Sequence, residues 1–94
     1  MIVKQNDNAE KGMFFVESDN DGKVVAKMTY VWTGKEKITI DHTEVDPSLK
    51  GQGVGKLLVS NAVEFAREKN IKILPICSFA KSVFDKTPEF SDVL

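Results

Sequence analysis

Three groups of residues in this chain have types and spacing suited to chemistry. They are the lone thiol Cys77, the imidazole–carboxylate pair His42 and Glu44, and the cluster Lys50-Gly51-Gln52-Gly53-Val54-Gly55-Lys56. An arc of backbone N–H groups closes on a phosphate only where side chains are absent or φ is positive, and glycines at alternate positions meet both conditions. The cluster runs into a long apolar-periodic segment, so it sits at a helix start, where unpaired amides and the positive end of the dipole favour an anion. Two common phosphate loops are excluded by spacing. A dinucleotide G-x-G-x-x-G needs glycine at position 56 or 58, where Lys56 and Leu58 stand. A P-loop needs glycine at 50 and Ser or Thr at 57, where the chain has Lys50 and Leu57. A nucleotide- or phosphopeptide-binding module and a ligand-free glycine turn both remain compatible with the loop.

Cys77 ends an apolar stretch just before a short helical segment, whose positive end favours a thiolate and hence a nucleophile. A small buried apolar residue is the alternative for the same cysteine. His42 and Glu44 lie two apart in a strand, on one face with Ile38 and Ile40, where either could relay a proton or His42 could simply hold a hydrogen bond.

These groups must be positioned by ordinary elements. The first eleven residues are polar and read as frayed, and Met13 to Glu17 reads as the first strand. Turn formers at Ser18 to Gly22 lead into a strand over Lys23 to Trp32, with Ala26, Met28, Tyr30 and Trp32 on its core face. A second turn leads to Ile38 to Val45, completing an antiparallel meander of three strands. Val54, Leu57, Leu58, Ala62, Phe65 and Ala66 form the stripe of an amphipathic helix from Val54 to Lys69, closed by Asn70. Ile71 to Cys77 reads as a further, buried strand, and Pro75 lacks the N–H a ladder needs, so the sheet is expected to open there. A short C-terminal helix over Ser78 to Asp85 completes a single α/β (α+β) domain over residues 1–94.

Thirteen basic and 14 acidic residues leave a net charge of -1, which supplies no field to draw the chain onto nucleic acid or anionic lipid. No tract approaches the roughly 20 apolar residues of a membrane span, and the first residues lack a secretory pattern, so a cytoplasmic setting is expected. One cysteine makes no internal disulfide and no structural zinc site, and no metal is expected. An open sheet edge is compatible with a monomer or a weak homodimer.

With Val45-Asp46-Pro47 ahead of the glycine cluster, the chain resembles the GNAT superfamily of acyl-coenzyme A-dependent N-acetyltransferases. Their signature is [QR]-x-x-G-x-[GA] between a strand and a helix, and Lys50 here replaces the usual arginine or glutamine. HTEV, GQGVG, the Pro-x-Cys strand and a terminal Pro-Glu-aromatic unit look like the short GNAT-like form, over roughly Ile38 to Phe90. The resemblance implies a minimal GNAT-type fold that binds acetyl-CoA. Thr43, Glu44 and Val45 would line the pantetheine arm, and Lys50, Gly51, Gln52, Gly53, Val54, Gly55 and Lys56 would cradle the pyrophosphate. It further implies acetyl transfer to an unidentified amine, small molecule or peptide lysine, with Cys77, His42 and Glu44 as catalytic candidates; the alternative is a CoA-binding or acyl-sensing module without turnover. Two departures stand out. A five-residue turn joins the first two strands where larger members insert two helices, and Phe84 stands where they carry a tyrosine that protonates the departing thiolate.

Overall fold

The computed structural model describes residues 1–94. Its strands are β1 (Lys4–Asp7), β2 (Lys11–Glu17), β3 (Val24–Gly34), β4 (Lys37–Val45) and β5 (Lys72–Pro75), and its α-helices are α1 (Val54–Lys69) and α2 (Ser78–Lys86). They form one five-stranded sheet in the order β1-β2-β3-β4-β5, antiparallel except for the parallel pair β4 and β5. This is the expected α/β class, with one strand more in the meander than the sequence reading supplies. No helix is long and apolar enough to cross a membrane.

The N-terminal residues read as frayed are instead the edge strand β1. Local hydrophobicity gives no sign of it, because all four of its residues are exposed. What holds it is polar and long-range: Trp32 Nε1 donates to Asp7 Oδ2 at 2.9 Å, the Tyr30 hydroxyl donates to the same oxygen, and Gln5 Nε2 donates to that hydroxyl at 2.9 Å. Gly12 is required beneath this network, since a Cβ there would come within 2.5 Å of both the Asn6 carbonyl and the Tyr30 hydroxyl. Burial opposes ionisation of Asp7. The hydrogen bonds from Tyr30, the Ala9 amide and Trp32 outweigh it and hold the carboxyl below its usual range. Tyr30 is pushed the other way, by burial first and then by the neighbouring carboxylate.

Helix α1 covers one face of the sheet. Leu58, Val59, Ala62, Val63 and Ala66 are fully buried against Met28, Ile38 and Ile40. The stripe is therefore centred one position away from the expected one: Val59 and Val63 join it, while Leu57 and Phe65 are half-buried at its margins. Phe65 uses that margin to pack edge-on to Trp32 and Phe14. Asn70 ends the helix as expected, at φ 56 and ψ 47, with its N–H on the Ala66 and Arg67 carbonyls. Arg67 grips both oxygens of Asp92, at 3.0 and 2.9 Å, and fastens the terminal 3-10 turn (Pro88–Val93) to α1. The opposite face of the sheet carries no helix, because the β2–β3 connection is too short to hold one.

The Asp7 network makes a signed prediction. A carboxyl with a lowered folded pKa stabilises the fold above its unfolded value, and that contribution is lost as pH falls through the folded value. Asp7→Asn should cost about 1 kcal/mol at pH 7 by urea unfolding. The gap to the parent should shrink below about pH 4, whereas an equal gap at both pH values would contradict this account.

Candidate functional site

The site is built where β4 outruns β5. Their parallel pairing runs from Lys37–Lys72 to Ile40–Pro75 and stops. Ile76 continues the donor series of Lys72 with a bond to the Ile40 carbonyl at 3.1 Å, the Cys77 amide folds back onto the same oxygen at 3.2 Å, and the N–H that Pro75 lacks would face the outer edge. The chain then turns into α2, with Cys77 as its N-cap residue. The sheet opens just past Pro75 as expected, but the turn at Cys77 into α2 ends the ladder rather than a missing donor, and β5 is shorter than the Ile71–Cys77 strand expected.

Past Ile40, β4 continues alone on that side. The Asp46 amide donates to the Val25 carbonyl at 2.8 Å, so the alternation of an antiparallel ladder puts the exchanging pairs at Lys27–Glu44 and Thr29–His42. Thr43 and Val45 fall in the non-exchanging register, and their N–H and C=O groups point away from β3 into the gap left by β5. An extended chain carrying amides fits that edge as an added strand would.

A bulge divides β4. Thr29 pairs with His42 but Tyr30 pairs with Ile40, which leaves Asp41 as an extra residue. Each residue inserted in a strand reverses the faces beyond it. Hence His42 and Glu44 do not share a face with Ile38 and Ile40, contrary to the plain alternation of the sequence. They stand on the uncovered face, and Thr43 and Val45 turn toward the helices.

The three catalytic candidates are consequently split. On the helix side, the Thr43 hydroxyl lies 3.3 Å from Cys77 Sγ, and Cys77 is half-buried against the core. On the uncovered face, His42 Nε2 lies 2.8 Å from Glu44 Oε1, and Lys27 Nζ lies 3.7 Å from Glu44 Oε2. The hydrogen bond from His42 and then the charge of Lys27 hold the Glu44 carboxyl below its usual range. No hydrogen bond joins Cys77 to His42 or Glu44. The open groove beside this pair is lined by Met13, Val25, Lys27, Glu44 and Asp46.

At the far end of the free edge lies the glycine loop. Gly51 and Gly53 take φ +83 and +72, in the left-handed region, and a Cβ on either would meet only open space. Gly53 caps α1 with no side-chain hydrogen bond, and no acceptor in the chain takes the amides of Gly53, Val54, Gly55 or Lys56. Lys50 and Lys56 are exposed beside them. A diphosphate therefore finds unpaired N–H groups, an uncompensated helix dipole and positive charge together. Gly55 differs from the other two glycines: it is buried, and a Cβ there would overlap the ring of Phe79 in α2. Phe79 has no place in the sequence reading, because an aromatic in a short helix carries no sign of what it will touch. Phe84, at the position of the missing phenol, is buried in the core edge-on to Phe90.

The residues fit a coenzyme A thioester in two independent respects, an amide-rich edge at Thr43 and Val45 and an anion cradle at 53–56. Comparison with known proteins gives the family and the fold. A family profile described as GCN5-related N-acetyl-transferase matches residues 13–93. Protein NATD1 of Xenopus tropicalis is 29% identical over 63 residues, 67% of this chain and 58% of that protein, and the Homo sapiens form gives 29% over 67% and 56%. The match thus spans little more than half the length of these relatives. A GCN5-like protein of Staphylococcus aureus, solved by NMR, aligns with TM-score 0.76 at 41% identity, over 98% of this chain and 85% of that one. A ribosomal-protein-alanine N-acetyltransferase of Brucella melitensis shares the fold at TM-score 0.67 and 17% identity, over 84% of this chain and 62% of its own.

The loop geometry predicts that Gly53→Ala destabilises the protein by about 1 kcal/mol through left-handed strain alone, since no atom obstructs the new methyl. Thermal or denaturant unfolding checks this, and an unchanged midpoint would contradict the positive φ.

Proposed function

The chain belongs to the GCN5-related N-acetyltransferase family, whose members generally use acetyl-CoA, and we propose that it transfers an acetyl group from acetyl-CoA to an amine presented on the uncovered face of its sheet. The observation that carries this reading is the free edge of β4 beyond the Ile40–Pro75 pair, running from the Cys77 thiol toward an anion cradle. Backbone groups of Thr43 and Val45, with Glu44 between them, hold the pantetheine arm. The amides of Gly53, Val54, Gly55 and Lys56 hold the pyrophosphate, with Gly51 and Gln52 shaping the turn and Lys50 and Lys56 adding charge. Once bound, acetyl-CoA supplies an acetyl group activated as a thioester.

The chain's own groups then divide the work by face. Cys77 Sγ, hydrogen-bonded by Thr43, takes the acetyl group: a new S–C bond forms, the donor C–S bond breaks, and the thiol proton goes to the departing thiolate. A thiol with an ordinary acidity leaves without a phenolic acid, which the buried Phe84 cannot provide. On the other face His42 acts as proton acceptor. With its Nε2–H donated to Glu44, its Nδ1 is free to take a proton from the incoming ammonium, and the ionised Glu44 stabilises the resulting imidazolium. The amine, reaching through the gap that β5 leaves beside β4, attacks the acetyl-cysteine, forms the amide and returns the thiol. A free, reduced cysteine suits the cytoplasm.

A second reading, a CoA-binding module without turnover, is favoured by the buried Phe84 alone. Intact-mass measurement after incubation with acetyl-CoA separates the two. Turnover through Cys77 predicts a one-acetyl adduct that Cys77→Ala abolishes and that an accepting amine discharges. No adduct, together with no CoA release across an amine panel, would leave only binding. In the same assay His42→Ala should lower amine acetylation about 100-fold while sparing the adduct.

A further inference from the structure

The first turns of both helices meet, and a single side chain bridges them. Phe79, the second residue of α2, lies two positions after Cys77 and rests its ring tip on Gly55, the second residue of α1. The contact is so close that Gly55 admits no Cβ. Yet 42% of Phe79 remains exposed, so the ring meets Gly55 at its tip and keeps part of its surface open.

An aromatic ring held this firmly and left this open is a prepared apolar surface rather than a core residue. Its position lies between the thiol at the start of α2 and the unpaired amides at the start of α1. A pantetheine arm joins a thioester to a diphosphate through a dimethyl-branched carbon and methylene groups, which have no use for the polar edge of β4. We propose that Phe79 is a cofactor-binding residue, that its open face packs against the branched apolar segment of the pantetheine arm, and that Gly55 is glycine in order to seat it. This rests on the acetyl-CoA reading above. It adds that the loop's last glycine, besides offering its amide to the pyrophosphate, lacks a side chain in order to seat an aromatic ring.

Calorimetric titration of the full chain with coenzyme A and with adenosine 3′,5′-bisphosphate, which lacks the pantetheine, tests this. Phe79→Ala should weaken coenzyme A by about tenfold or more, from loss of apolar contact. It should leave the bisphosphate within about twofold, and Phe79→Leu should fall between parent and alanine variant for coenzyme A. Gly55→Ala should weaken coenzyme A in the parent but add no further loss in Phe79→Ala, where the ring it displaces is gone. Circular dichroism confirms that each variant is folded. Equal losses for both ligands, no loss for either, or additive losses in the double variant would overturn the role of Phe79. A parent that fails to bind coenzyme A at all would overturn the underlying function as well.

Discussion

The parting of β4 from β5 is the constraint on which the rest depends. Ile76 makes the last bond of the ladder to the Ile40 carbonyl, the Cys77 amide doubles back onto that same oxygen, and α2 begins at once. That leaves the last part of β4 with outward N–H and C=O groups that water satisfies only until a ligand replaces it. Exposed strand edges are ordinarily protected against pairing. The polar β1 (Lys-Gln-Asn-Asp) is protected by its charges, and β5 by the proline that limits its own outer donors. The inner edge at Thr43 and Val45 has no such protection, as suits a place meant to be paired.

The bulge at Asp41 gives this edge two different faces. Without the extra residue, His42 would point into the core beside Ile40, and Thr43 would point away from Cys77. With it, the Cys77 thiol is gathered beside Thr43 on the helix side and the His42–Glu44 pair on the open side of the same short segment. Because the β2–β3 connection carries no helix, this face stays open around Lys27 and Glu44.

Much of this was legible in the residues themselves. Helix α1 and its Asn70 cap follow from apolar spacing and left-handed tolerance, and the place of the gap, though not its cause, was marked by the proline in an apolar strand. What escaped the sequence depends on partners far along the chain. Strand β1 is polar throughout and is held by Asp7, Gln5 and Tyr30, which meet across 23 to 25 positions. The bulge changes faces without changing composition, so alternation put His42 and Glu44 with Ile38 and Ile40. Phe79 and Gly55 acquire meaning only when α1 and α2 are brought together.

The central claim is that the β4 backbone pairs with the cofactor, and amide hydrogen exchange read by NMR reaches it directly. On saturation with coenzyme A, the Thr43 and Val45 amides should gain protection together with Gly53 to Lys56, while His42 and Glu44, already bonded to β3, should change little. Binding that protects the loop amides but leaves Thr43 and Val45 exchanging freely would contradict the account.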